Sequence, residues 1–292
     1  MVLVAAGDIA CDPEYPTFRN GAGTAKACHE RATAALITRI APRQVLALGD
    51  IQYVNGLSGK YLVSYDPTWG RFKHITRPVL GNHEGGEGGT NHSYFDYFGG
   101  LAGSPSKGYY SYNVGSWHIV ALNSNCGAYL FNGSRSDCRK GSAQDLWLQA
   151  DLAAHPTLCT LAYFHVPRFS SGVVHHNDAK SDHTLTTLWK DLYAGGADVI
   201  LNGHDHNYER FVPMRPDGTP DSAKGIREFV VGTGGDNLHR FSTVVPGSQV
   251  RSANSFGVLK MSLSATSYSW QFESDGSPGA TNHDRGAATC HR

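Results

Sequence analysis

The feature that most restricts how this chain can fold is a short apolar run that recurs and halts each time at glycine or at a metal- or proton-binding residue. Residues 2–6 stop at Gly7-Asp8, residues 45–48 at Gly49-Asp50, and residues 78–80 at Gly81-Asn82-His83-Glu84. Residues 158–164 stop at His165-Val166-Pro167, and residues 197–201 at Asn202-Gly203-His204-Asp205-His206. Runs of this length, bounded by glycine and polar residues, read as buried strands. Strands that each deliver a polar group at the C-terminal tip suit an α/β sheet, where sites collect at strand ends. The pattern predicts that Asp8, Asp50 with Tyr53, Asn82 with His83, His165, and His204 with His206 gather along one edge.

The stretches between supply helices and hairpins. Residues 24–40 place apolar side chains at helical spacing, with Thr24 as N-cap and Pro42 beyond the end. Further helices are predicted around 69–75, over 142–154 with Ser142 as N-cap, and over 182–193 capped by Asp182. Residues 108–123 alternate and break at Gly115-Ser116, the pattern of a hairpin, with His118 an ordinary strand residue inside it. A strand at 228–231 runs into a glycine-rich turn at 232–235, and residues 256–274 alternate as a terminal hairpin would. No repeat, low-complexity tract or linker interrupts the chain, so residues 1–292 are expected to form one domain.

Composition narrows the function classes. Lys plus Arg and Asp plus Glu both number 25, so net charge argues for neither a nucleic-acid partner nor a membrane surface. No run of about 18 apolar residues occurs, so no transmembrane helix is expected. The first residues lack a basic segment and pass at once into a strand, so they are not a leader. Six cysteines without metal-type spacing fit three disulfides in a secreted or otherwise extracytoplasmic protein whose leader is absent from this chain. Local distance pairs Cys11 with Cys28 and Cys126 with Cys138, which leaves Cys159 for Cys290. The 15 histidines are where chemistry is to be sought, because imidazole binds metals and moves protons near neutral pH.

The stretch 203–206 (GHDH) concentrates them. If the chain stays extended there, His204 and His206 project to one side and Asp205 to the other. Two imidazoles on one side make half of a metal site, although the pair alone equally suits a solvated loop. The other strand ends decide. In order the chain reads GD at 7–8, GDxxY at 49–53, GNHE at 81–84, HxP at 165–167 and GHxHxYER at 203–210. This series resembles the calcineurin-like metallophosphoesterases and, within them, the purple acid phosphatases, over about two hundred residues.

The resemblance implies an α/β fold (α+β by some schemes), a four-layer α/β/β/α sandwich of two mixed sheets flanked by helices. The first strand begins at residue 2, so the chain would be a catalytic domain without the N-terminal β-sandwich of the plant enzymes. By the family pattern Asp8, Tyr53 and His206 hold one metal ion, Asn82, His165 and His204 hold a second, and Asp50 bridges them. A phenolate with carboxylate oxygens suits Fe(III) at the first position, and two imidazoles, an amide and a shared carboxylate suit divalent Zn, Fe or Mn at the second. The activity implied is that of an acid-phosphatase-like phosphomonoesterase acting on small phosphate esters, with in-line attack by a metal-bound hydroxide. A phosphodiesterase of the same superfamily is the alternative, and a non-catalytic phosphate-binding module a third reading. The resemblance gives His83 a part in holding phosphate and assisting the leaving group. It also points to His175 or His176, with His176 preferred, as a general acid. Asp205 is expected to be structural, and Glu209 and Arg210 receive no chemistry.

Overall fold

The computed structural model of the chain describes residues 1–85, 91–127, 136–173, 179–277 and 280–291, with the backbone alone at 179–184. Its strands are β1 (Val2–Ala6), β2 (Gln44–Ala47), β3 (Thr76–Pro78), β4 (Tyr110–Val114), β5 (Trp117–Ala121), β6 (Cys159–Tyr163) and β7 (Val199–Asn202). They continue with β8 (Tyr208–Phe211), β9 (Arg227–Val231), β10 (Ser248–Ser252), β11 (Gly257–Leu263), β12 (Ser267–Ser274) and β13 (Arg285–Thr289). The main helices are α1 (Glu30–Ile40), α2 (His92–Phe98), α3 (Ala143–Ala154) and α4 (Ala179–Ala194).

Among the described residues the strands form two sheets, ordered β13-β12-β11-β1-β2-β3 and β10-β8-β9-β7-β6-β5-β4. Both are mixed. β1, β2 and β3 run parallel and β11 antiparallel to β1; β5, β6, β7 and β9 run parallel and are bordered by antiparallel β4 and β8. The expected two-sheet, helix-flanked arrangement is therefore present.

The unbroken apolar runs follow from burial on both faces. On β6, Leu161 and Tyr163 point into the core between the sheets, while Ala162 and Phe164 meet α3 and α4 through Leu148, Leu188 and Trp189. The same alternation places Val199 and Leu201 of β7 between the sheets and Ile200 under the helices. Each such leucine or isoleucine, fully buried, contributes roughly 2 kcal/mol. Three disulfides add covalent ties in the expected pairing, Cys11–Cys28, Cys126–Cys138 and Cys159–Cys290, with Cα separations of 5.3, 5.5 and 5.4 Å. Among the described residues no helix is long and apolar enough to cross a membrane.

Several elements depart from expectation. The first helix starts at Glu30, not near residue 24, because the preceding residues are committed elsewhere. Cys28 is tied to Cys11, adopts left-handed backbone at φ 65°, and donates its amide to the Asp236 carbonyl at 2.7 Å. Thr24 donates its amide to Ala27 and caps no helix. Residues Trp69–Ile75 form a 3-10 helix. Ser142 caps α3 as expected, accepting from the Asp145 amide, whereas α4 begins at Ala179, so Asp182 lies inside it. Strands β8, β10 and β13, which no apolar run announces, extend the sheets at their edges or between longer strands.

Candidate metal centre

The two sheets meet where β1, β2, β6, β7 and β9 end. The Gly7 amide donates to the Val231 carbonyl at 2.9 Å, the Gly203 amide to the His165 carbonyl at 3.0 Å, and His165 Nδ1 to the Leu48 carbonyl at 2.9 Å. Such close approach explains the glycine ahead of the strand-end donors. A Cβ on Gly49, at φ 85°, would lie 2.6 Å from the His165 ring, and one on Gly81 would lie 2.1 Å from the Asp50 nitrogen. Asp8, Asp50 and His204 themselves adopt left-handed backbone, at φ 59°, 47° and 72°. Conformations of that kind cost of order 1 kcal/mol or more for residues with a Cβ and persist where the surroundings over-determine them.

All seven residues expected as ligands converge here. Tyr53 Oη lies 2.9 Å from Asp8 Oδ1, 2.9 Å from His206 Nε2 and 3.2 Å from Asp50 Oδ2. His165 Nε2 lies 3.0 Å from Asn82 Oδ1, 3.2 Å from Asp50 Oδ2 and 3.1 Å from His204 Nδ1. Asp50 Oδ2 is thus common to two groups. The second oxygen of each aspartate is held from behind: Asp8 Oδ2 accepts from the His204 amide and Asp50 Oδ1 from the His83 amide, both at 2.8 Å. Asp8, Asp50, Tyr53, His165, His204 and His206 are buried, whereas Asn82 is exposed and the His83 side chain retains 30% of its surface. His175 and His176 lie outside the described residues.

A family model described as calcineurin-like phosphoesterase matches residues 1–208. The chain belongs to the calcineurin-like phosphoesterases. It is 32% identical over 202 residues to purple acid phosphatase 15 of Arabidopsis thaliana, a match covering 58% of this chain and 36% of the relative. The match thus spans little more than a third of that relative's length. In fold it is similar to purple acid phosphatase PPD1 from yellow lupin seeds, at TM-score 0.71 and 21% identity, over 100% of this chain and 54% of that one. It is also similar to a dimetal phosphatase from Danio rerio, at TM-score 0.63 and 15% identity, over 99% of both chains.

Membership of the calcineurin-like phosphoesterases, with purple acid phosphatase relatives, implies a dinuclear metal centre, and the donor set fits one. Because its Nδ1–H is committed to Leu48, His165 turns its Nε2 lone pair toward an amide oxygen, a carboxylate oxygen and a second imidazole nitrogen. An electron-rich cluster of this kind requires positive charge. Without a cation, protons supply it. Burial opposes the charged forms of His165 and His206, yet Asp50 beside the first and Asp8 beside the second push each up to about 9. Burial also opposes the Asp50 carboxylate, but His165 and His83 hold it below the usual carboxylate range. Burial, with the Asp50 and Asp8 charges, pushes the Tyr53 phenol well above its ordinary value, so a cation is needed to ionise it.

The expectation of an extended chain through 203–206 needs correction. Left-handed His204 bends the backbone, and it is the bend, not alternation, that turns both imidazoles inward. Asp205 is turned away to accept from Ser170 Oγ. Glu209 accepts from the Ser171 amide at 2.8 Å, and Arg210 pairs with Asp284 at 2.7 Å, both structural ties.

Glu84, a strand-end residue without an expected role, and three residues that the sequence does not announce, Asp236, Asn237 and His239, support the site. Glu84 accepts from the backbone amides of Asp50, Ile51, Gln52 and Gly81 at 2.9, 2.7, 3.4 and 2.6 Å, binding the ends of β2 and β3 together. Burial and the Asp50 charge push its carboxyl up to about 7. Beyond β9, Asn237 Oδ1 meets His206 Nδ1, Asp236 lies 3.7 Å from the same nitrogen, and the His239 ring stacks on His206 at 4.3 Å. β9 is parallel to β7, so its end falls at the same edge, and the rule applied to the other strands would have found Asp236 and Asn237.

Proposed function

We propose that the chain is a metal-dependent phosphomonoesterase of the acid-phosphatase kind, acting on small phosphate esters, with two ions held on either side of Asp50. The observation that carries the reading is the place of Asp50 Oδ2, 3.2 Å from both Tyr53 Oη and His165 Nε2. In this reading Asp8, Tyr53 and His206 hold one ion, and Asn82, His165 and His204 the other. Phenol and carboxylate oxygens favour Fe(III) in the first position, and the nitrogen-rich second favours divalent Zn, Fe or Mn. When bound, such a pair lowers the pKa of a coordinated water and offsets charge on the phosphoryl oxygens.

The chain's own residues position the reaction. Leu48 and Asn237 orient the His165 and His206 rings through their Nδ1 atoms, and Glu84 fixes the loop that carries Asp50. Partly exposed His83 donates from Nδ1 to the Val54 carbonyl and leans on the Tyr53 ring at 4.5 Å. Its Nε2, 3.8 Å from Asp50 Oδ2, is then the atom that holds a proton for the phosphate or the leaving group. His175 or His176 serves as a further acid in this reading. Completion of the first sheet by β11, β12 and β13 supports taking residues 1–292 as one catalytic domain, and the three disulfides support an extracytoplasmic location.

The test compares metal-loaded protein on p-nitrophenyl phosphate and on its bis ester. Faster turnover of the monoester is expected; strong preference for the diester would replace the reading with a phosphodiesterase, and inertness toward both would remove it.

A further inference from the structure

A second cluster of metal-binding side chains stands away from the strand-end site. His118 on β5, Asp151 in the last turn of α3, and His155, which ends α3, each offer a donor atom within 4.8 Å of the others. His118 lies opposite Thr160 on parallel β6, five positions before His165, so the cluster sits roughly 16 Å from the catalytic edge at ~3.3 Å per residue. The two groups share no side chain.

The cluster has the arrangement of a ligand set with its supports. His118 is fully buried, with Nδ1 2.7 Å from Asn113 Oδ1 and Nε2 2.8 Å from Asp151 Oδ2. The other carboxylate oxygen of Asp151 accepts from Ser111 Oγ at 2.7 Å. His155 Nδ1 donates to the Asp151 carbonyl oxygen at 2.8 Å, which makes Nε2 its lone-pair nitrogen. The rings of His118 and His155 are nearly parallel, 13° apart in plane with centroids at 4.5 Å. Each of the three thus has one polar atom fixed by a neighbour, as histidine and carboxylate ligands have in metal sites. Asp151 and His155, four apart, share a helix face. Burial opposes the charge on Asp151, but hydrogen bonds from His118 and Ser111 hold its carboxyl below the ordinary range, so it is an anion at neutral pH.

We propose that His118, Asp151 and His155 form a zinc site that fastens the end of α3 to β5. Two imidazoles and a carboxylate suit zinc or a similar borderline divalent ion, with water in the remaining position. The ion takes the place of the proton between His118 Nε2 and Asp151 Oδ2, and that proton passes to solvent.

Equilibrium dialysis of the full chain against a fixed concentration of zinc chloride, followed by elemental analysis, tests this. Wild type is expected to hold about one zinc per chain more than His155→Ala, with p-nitrophenyl phosphate hydrolysis unchanged. The difference does not depend on how many ions the strand-end site takes. His155 is partly exposed, so its truncation leaves the core intact; isosteric Asp151→Asn is the second variant and should lose the same ion. Equal zinc in wild type and both variants would overturn the proposal and leave the cluster a hydrogen-bonded latch.

Discussion

The strand-end site and the His118 cluster are built from the same residue types but meet different electrostatic conditions. At the strand ends acceptors outnumber donors: His165 Nε2 looks at two oxygens and another imidazole, and the single Tyr53 O–H sits among two carboxylates and His206. At the His118 cluster the donors and acceptors are complementary, with Asn113, Ser111 and the Asp151 carbonyl each satisfying a partner. The first arrangement is incomplete until positive charge enters it. The second folds without an ion and gains one. A count of histidines and aspartates does not separate the two; the direction in which their remaining atoms are tied does.

The sharpest way to break this contrast is to remove the shared carboxylate. Asp50→Asn is expected to lower kcat for p-nitrophenyl phosphate by about 10³ and to lose metal from both positions; retention of a tenth of the activity with both ions bound would contradict the part given to Asp50. The next effect is one of pH. In metal-free protein the folded pKa values of His165 and His206, about 9, stand above the unfolded value of about 6.5. The stability they contribute is therefore fully present below about pH 6.5 and lost as pH rises through about 9. Thermal unfolding of chelated protein should show that decline, on the order of 3 kcal/mol for each imidazole. Metal-loaded protein should not, since the ion displaces those protons. A flat profile for the chelated form would mean that the strand-end site is not short of positive charge.

Much of this was legible in the sequence, for identifiable reasons. A strand buried on both faces cannot hide its end, because the first polar residue after residues 2–6 or 197–201 has to face a site or solvent. The cysteine pairing was readable because Cys11 and Cys28 are close in the chain, as are Cys126 and Cys138. What stayed hidden depends on contacts made at long range. Nothing in the sequence marks Asp8, Asp50 and His204 as left-handed, since such backbone ordinarily selects glycine. The start of α1 was displaced by a disulfide and by the Asp236 carbonyl, both outside the helical pattern. Asp236 and Asn237 are masked by the glycine-rich turn at 232–235 that separates them from the end of β9.

Smaller effects sharpen the comparison. Glu84→Ala removes the acceptor of four backbone amides and should weaken metal binding by roughly 10- to 100-fold, measured by competition with a chelator. An unchanged affinity would show that the loop holding Asp50 needs no such tie. Asn237→Ala should weaken binding at the Tyr53 position by about tenfold and leave the Asn82 position nearly intact. At the other cluster, His118→Ala should lower Tm by several degrees, about 2 kcal/mol for a buried polar network, while kcat stays within about twofold. A large loss of kcat there would mean the two clusters are coupled.

The most direct test of the central claim, two ions divided around Asp50, uses the phenolate of Tyr53 as its reporter. Iron-loaded protein carrying His155→Ala, which removes the His118 cluster from the count, should contain about two metal ions per chain and show a visible phenolate-to-iron band. His206→Ala should lose that band first, and His204→Ala should keep it while losing the other ion. Equal loss of both ions in both variants, or an active protein that shows no band when loaded with iron, would contradict the division.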